Sequence, residues 1–115
     1  MAILAKQENK RSSPRVDFHA QLRYQVRGGS AFDNAVSNDI SYGGLRFTSN
    51  RFIPTSTPVM LEINVLNRIL RPIGRVAWSN PLPHSDRNQL GVEFVEFNSL
   101  EKSFLRDFVN MQLSH

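Results

Sequence analysis

Twelve residues of unbroken alternation between apolar and polar side chains, Val16 to Arg27, place the tightest constraint on this chain. Because successive side chains of a strand point to opposite faces, this pattern predicts a long β-strand with one face on a hydrophobic core. Gly28 and Gly29 follow directly, and glycine supplies the positive φ that a tight hairpin requires. The apolar face of the strand comprises Val16, Phe18, Ala20, Leu22, Tyr24 and Val26.

Five more strands are predicted downstream, joined by short turns without intervening helices. They cover residues 31–40, 45–48, 59–66, 69–78 and 90–97, with a turn at Asn67 and Arg68 and a polar loop over residues 80–88. Pro72 cannot donate to a sheet ladder, so it predicts an edge or a bulge within its segment. Six strands with such short connections favour antiparallel closure into a small β-barrel.

The only predicted helix closes the chain. Asn98 is a candidate N-cap, and Glu101, three residues later, is its candidate capping-box partner. The helical apolar stripe predicts a helix that packs across the barrel, in preference to one that binds a partner. That stripe comprises Leu100, Phe104, Leu105, Phe108, Val109 and Leu113.

The chain length and the lack of cysteine fit one domain without a metal site or a disulfide. A chain of 115 residues can bury a sufficient core by itself, and its three histidines are far apart. Residues 1–15 lack periodicity and are predicted to form a flexible basic arm, with the barrel and helix over residues 16–115. No apolar run matches a signal peptide or a membrane span, so we expect a cytoplasmic protein without membrane insertion.

The net charge of +4 is concentrated at the N-terminal end. Residues 1–27 hold six basic and two acidic side chains, whereas the other 88 residues hold eight of each. Eleven of the 14 basic residues are arginine, whose planar guanidinium can bind phosphate through two parallel hydrogen bonds. The charge therefore indicates either a phosphate-bearing partner or a solvated tail.

Catalytic motifs do not support an enzyme. The sequence has no G-x-S-x-G elbow, no Walker loop and no dinucleotide fingerprint, and the helices after strands that the last two need are not predicted. We therefore expect a binding protein.

The first candidate binding motif is the R-x-x-x-R formed by Arg11 and Arg15. The same spacing recurs at residues 23 and 27 and at residues 71 and 75, so the spacing alone is not specific. Only the first copy lies on an arm that could wrap a ligand.

The second candidate motif is D-x-S-x-x-G at residues 39–44, which occurs once. The Asp39 carboxylate could accept two N–H bonds from a guanine edge, and the Ser41 hydroxyl can both donate and accept. Gly44 has no side chain, so a flat base could approach its backbone closely. By itself, the segment is better explained as an Asx-type turn between strands.

Together and in this order, the two motifs resemble those of the PilZ domain family. The resemblance runs from about Lys10 to Leu113 and includes the V-x-W that ends at Trp78, the strand LGVEFVEF and the closing helix. It implies a mainly β fold, a six-stranded antiparallel barrel with a C-terminal α-helix. It also implies binding of cyclic di-GMP, a bacterial second messenger, coupled to motility, adhesion or polysaccharide output.

The resemblance assigns a role to each motif residue. Arg11 and Arg15 would clasp the phosphates and stack on or bond to guanine, Asp39 and Ser41 would read a guanine edge, and Gly44 would let the nucleotide lie against the barrel. Further candidates are Lys10 as a phosphate contact, Gly43 in the same loop, Trp78 as an aromatic wall, and Arg46 and Arg75 on the same face.

The mechanism that we infer from the sequence is coupled ordering. A ligand with two phosphates would neutralise Arg11 and Arg15 and order the arm beside Asp39, which would create a surface for a downstream protein. A barrel that binds single-stranded nucleic acid is the main alternative, but the chain beyond residue 27 is neutral overall, so neither DNA nor RNA is expected. A ligand-free adaptor that docks proteins is the third possibility.

Overall fold

The computed structural model describes residues 14–114, which form eight strand segments followed by one helix. The predicted arm over residues 1–15, including Lys10 and Arg11, lies outside the described residues except for Pro14 and Arg15. The elements are β1 (Val16–Asp17), β2 (Gln21–Val26), β3 (Asp33–Ile40), β4 (Gly44–Ser49), β5 (Pro58–Val65), β6 (Arg68–Leu70), β7 (Ile73–Pro81), β8 (Asn88–Glu96) and α1 (Ser99–Leu113).

Six of the strands form a closed antiparallel ring. The order is β3-β2-β5-β7-β8-β4, and pairing between β3 and β4 closes it. The two short segments are added to this ring. β1, which precedes β2 in the sequence, pairs with β3, and β6, which precedes β7, pairs with β5. The predicted six-stranded antiparallel barrel with a C-terminal helix is confirmed.

The first strand is interrupted, although its faces are as predicted. Val16 and Phe18 are buried like Leu22 and Tyr24 of β2, but residues 18–20 leave the ladder. The Ser37 hydroxyl donates to the Phe18 carbonyl and accepts from the Ala20 N–H at 3.0 Å. The prediction of one continuous strand over residues 16–27 is therefore wrong at residues 18–20, where a side chain of β3 replaces part of the backbone pairing.

The second interruption lies where the proline predicts it. Arg71 and Pro72 separate β6 from β7, and the Pro72 carbonyl still accepts from the Leu61 N–H at 3.1 Å. The preceding turn is one residue earlier than predicted, since Leu66 and Asn67 both have positive φ, as in a two-residue type I′ hairpin. The later loop is shorter than predicted, because β7 and β8 extend into it.

The helix begins as the sequence predicts, but its capping box is incomplete. The Asn98 side chain accepts from the N–H groups of Leu100 and Glu101 at 2.9 and 3.1 Å. The Glu101 carboxylate does not return this bond and accepts instead from the Arg71 N–H at 2.7 Å. The start of α1 is thereby tied to the break between β6 and β7.

The helix closes the core with a narrower stripe than predicted. Leu105, Phe108 and Val109 are buried, whereas Leu100 and Leu113 are exposed. Phe108 packs edge-to-face on Phe18, with ring centroids 5.5 Å apart. This contact places α1 against the interrupted first strand.

Candidate functional site

A shallow depression of about 300 Å³ lies on the outside of the barrel, where the turn before β4 meets β7 and β8. Of the predicted site residues, Asp39 does not line it but is bonded to Arg15, and Lys10 and Arg11 lie outside the described residues. The fold therefore gathers every predicted site residue that the structure describes. Those that line the depression are Arg15, Ser41, Gly43, Gly44 and Trp78.

Asp39 is buried and holds two arginines. Its side chain is 7% exposed; Oδ1 accepts from Arg15 Nη1 at 3.0 Å and Oδ2 accepts from Arg46 Nε at 2.6 Å. Arg46 lies opposite Asp39 on β4, and Arg15 directly precedes β1. Both carboxylate oxygens are thus occupied by guanidinium groups. In this arrangement Asp39 positions Arg15, while its predicted contact with a guanine edge stays a prediction.

Most hydrogen-bond donors of the Arg15 guanidinium have no partner within residues 14–114. Its side chain is 46% exposed, and within residues 14–114 its only hydrogen bond is the one to Asp39. A guanidinium group carries five N–H donors. The remaining donors of Arg15 can therefore bind an anion at the edge of the depression.

The turn of the D-x-S-x-x-G motif is fixed by its own hydrogen bonds. The Ser41 N–H donates to the Gly44 carbonyl at 2.8 Å, and the Ser41 hydroxyl accepts from the Gly43 N–H at 3.2 Å. The Gly43 carbonyl accepts from the Phe94 N–H of β8 at 2.8 Å. Ser41 is 5% exposed, so its hydroxyl serves the turn in this structure.

Two glycines allow the close contacts at the base of the depression. A Cβ at Gly44 would collide with the Val92 carbonyl oxygen, and a Cβ at Gly91 would collide with the indole of Trp78. Gly44 is therefore required by the approach of β4 to β8, a role additional to the predicted ligand contact. Trp78, half-buried, lies over Gly91 and forms an aromatic wall of the depression.

Sequence reasoning missed Glu93, which also lines the depression. Glu93 lies opposite Gly44 on β4 and opposite Arg75 on β7. Its Oε1 accepts from Arg75 Nε at 3.0 Å and from Arg75 Nη2 at 2.6 Å. The period-two pattern of β8 places residues 91 and 93 on one face, and that signal could have identified Glu93 once Gly91 was paired with Trp78.

A second and larger depression of about 560 Å³ lies on the outer face of β2, β3 and β5 and contains no predicted site residue. Its ion pair joins Arg23 Nε and Nη2 to Glu62 Oε1 at 3.0 and 2.7 Å, and Arg71 lies 3.6 Å from Glu62 Oε2. The hydrogen bond from Arg23, with the charges of Arg23 and Arg71, lowers the pKa of Glu62 despite the opposing effect of burial.

The described part of the chain contains neither a helix that could span a membrane nor a metal-binding cluster. Between residues 14 and 114, α1 is too short and too polar to cross a membrane. The same residues contain no group of three or more His, Cys, Asp or Glu side chains placed to hold a metal ion.

The structure is thus a small closed antiparallel barrel with an arginine cluster beside a glycine-rich turn. The profile of the PilZ domain matches residues 9–111, which is most of the chain. The chain therefore belongs to the PilZ domain family. PilZ domains are generally receptors for cyclic di-GMP. They generally act as binding or adaptor domains rather than as catalysts.

Solved structures with the same fold include MotI/DgrA and the PilZ domain of CeSA. The Bacillus subtilis inhibitor of motility (MotI/DgrA) superposes with a TM-score of 0.78 at 18% identity, over 90% of this chain and 52% of that one. The chain thus spans about half the length of MotI/DgrA. The PilZ domain of CeSA from a cellulose-synthesizing bacterium gives a TM-score of 0.61 at 16% identity, over 88% of this chain and 98% of that one. No match was found among curated proteins.

Proposed function

We propose that this protein is a cyclic di-GMP receptor that binds the dinucleotide between its arginine arm and the smaller depression. The observation that carries the proposal is the position of Arg15. Asp39, 24 residues away in sequence, holds Arg15 at the edge of a depression that Ser41, Gly44 and Trp78 also line. Residues from the two motifs thus meet beside a concave surface.

The chemistry of these groups suits a dinucleotide. The spare donors of Arg15 can bind phosphate bidentately. Trp78 supplies an aromatic surface on which a base can stack, an interaction worth about 1–3 kcal/mol per base. Arg15 is the cationic side chain among the described residues that line the depression, and its unused donors can bind an anion.

The arm extends the same binding surface. Arg11 precedes Arg15 by four residues, and an extended chain of that length spans at most about 14 Å. Lys10 and Arg11 can therefore reach a second phosphate while Arg15 stays on Asp39. Binding neutralises these charges and orders the arm on the barrel, and the ordered arm forms the surface that a downstream protein recognises.

Calorimetric titration with cyclic di-GMP tests this function. Wild type is expected to bind, and Arg15→Ala should lose about 30-fold or more in affinity, the equivalent of one charge-assisted hydrogen bond of about 2 kcal/mol. Its melting temperature should change little, because the Arg15 side chain is 46% exposed.

Arg23→Ala is the matched control for this titration. Arg23 is also paired with a carboxylate and is 52% exposed, but it lies at the other depression. Its loss should leave the affinity unchanged. Absence of binding to wild type, or equal affinity of wild type and Arg15→Ala, would overturn the proposal. Tight, salt-sensitive binding of oligonucleotides in place of cyclic di-GMP would favour a nucleic-acid-binding barrel instead.

A further inference from the structure

Glu93 is the acidic side chain of the depression that retains an open acceptor. Its side chain is 48% exposed, and Arg75 directs both of its hydrogen bonds to Oε1. Within residues 14–114, Oε2 accepts no hydrogen bond. Arg75 thus fixes the carboxylate on the wall of the depression and leaves one oxygen for a ligand.

The other side-chain oxygen atoms beside the depression are already occupied. Both oxygens of Asp39 accept from arginines, and its side chain is 7% exposed. The Ser41 hydroxyl is buried and bonded to the backbone of its own turn. Among the described residues that line the depression, Glu93 is therefore the acidic side chain that can accept a hydrogen bond from an N–H group of an entering base.

Trp78 sets the plane in which a base would lie. Its indole covers Gly91, and residues 91 and 93 lie on the same face of β8 about 7 Å apart. A base stacked on Trp78 can therefore direct one edge toward Glu93. Guanine carries the N1–H and N2–H₂ donors on its Watson–Crick edge, whereas adenine carries an N1 lone pair beside its amino group.

We propose that Glu93 is the specificity-determining residue of this site. Its Oε2 accepts from the N1–H and N2–H₂ groups of a guanine stacked on Trp78, while the N1 lone pair of adenine is repelled. The inference rests on the proposed function and adds the residue that selects the base. Arg75 is the positioning residue, because it holds the carboxylate in place.

Titration of cyclic di-GMP and cyclic di-AMP into wild type and Glu93→Gln tests the assignment. The glutamine keeps the shape and removes the charge, and its amide can donate to the N1 of adenine while its carbonyl accepts from the amino group. We expect about tenfold weaker binding of cyclic di-GMP, tighter binding of cyclic di-AMP, and a selectivity ratio that falls at least tenfold. Arg75→Ala should lower the same ratio by a smaller factor, and Glu62→Gln, at the other depression, should leave it unchanged.

The outcomes separate this inference from the function on which it rests. Wild-type binding of cyclic di-GMP with an unchanged selectivity ratio in Glu93→Gln would overturn the role of Glu93 and leave the receptor function intact. Equal strengthening of both ligands would show that Glu93 acts only as a charge near phosphate, and would overturn base reading. Failure of wild type to bind either ligand would overturn the receptor function itself.

Discussion

Two carboxylates of the barrel are each bracketed by two arginines, yet their surroundings differ. The Asp39 side chain is 7% exposed and that of Glu62 is 22% exposed. The smaller depression, of about 300 Å³, lies beside Asp39, and the larger, of about 560 Å³, beside Glu62. The arginines are Arg15 and Arg46 around Asp39, and Arg23 and Arg71 around Glu62.

The two regions differ in what their arginines can still bind. Arg23 lies directly opposite Glu62 on paired strands and donates two hydrogen bonds to it. Its guanidinium carbon also lies 4.6 Å from the centroid of the Phe32 ring. Such a cross-strand pair is an ordinary source of sheet stability. Arg15 has one hydrogen bond within residues 14–114 and lies beside a glycine-rich turn and Trp78. The size of a depression is therefore a poorer guide to function than the number of uncommitted donors around it.

The largest difference between the regions should appear in the stability lost when an alanine is introduced beside each depression. The Cβ of Gly44→Ala meets the Val92 carbonyl oxygen, a backbone atom that moves only if β4 separates from β8. Such overpacking is expected to cost about 3 kcal/mol, or more than about 10 °C in melting temperature measured by circular dichroism. Asn34→Ala, in the exposed wall of the larger depression, should stay within about 0.5 kcal/mol of wild type. A wild-type melting temperature for Gly44→Ala would show that this glycine has no packing role.

The next difference should appear when each carboxylate is removed. Asp39→Ala leaves two arginines facing each other without a counter-charge, and we expect a loss of about 2 kcal/mol in the free energy of unfolding measured with urea. Glu62→Ala removes a solvent-screened pair and should cost about 0.5 kcal/mol. Affinity for cyclic di-GMP should fall about tenfold in Asp39→Ala, because Arg15 loses its anchor, and should not change in Glu62→Ala.

Base selectivity sharpens this second comparison. If Glu93 reads the base, Asp39→Ala should retain the preference for cyclic di-GMP over cyclic di-AMP while its affinity for both falls. Loss of that preference would restore the assignment of the guanine edge to Asp39 that the sequence resemblance implies. Equal costs for Asp39→Ala and Glu62→Ala, in stability and in binding, would erase the distinction between the two regions.

The parts of the fold that depend on local patterning could be predicted from the sequence. Alternation reports burial, so the faces of the first strand are correct, and Pro72 marks the break before β7 because a missing N–H is a local property. The break at residues 18–20 could not be predicted, since it depends on the Ser37 hydroxyl of another strand. The same holds for Glu101, whose partner, Arg71, is 30 residues away.

The candidate site divides in the same way. Motif residues such as Arg15, Ser41 and Trp78 could be identified by resemblance, and the structure places them around one depression. Arg46 and Glu93 carry no motif, and their positions follow from the pairing of β4 with β3 and β8. Register between distant strands is not readable from one sequence, so these contacts required the fold.

The smallest expected effect is a pH dependence confined to the Glu62 region. The hydrogen bond from Arg23, with the charges of Arg23 and Arg71, lowers the pKa of Glu62 below its ordinary value of 4.5. Because this pKa is lower in the folded than in the unfolded state, the stabilisation is complete above about pH 4.5 and is lost as the pH falls through the folded value.

Glu62→Gln should therefore be about 0.5 kcal/mol less stable than wild type at pH 7, and the gap should narrow as the pH drops below 4.5. Urea unfolding of both proteins across this range measures it. Added salt should shrink the gap at pH 7, because exposed charges are screened. A gap that widens in acid would contradict the lowered pKa of Glu62, and a gap that resists salt would mean that Glu62 is held as tightly as Asp39. The contrast between a surface ion pair and an anchored one would then fail.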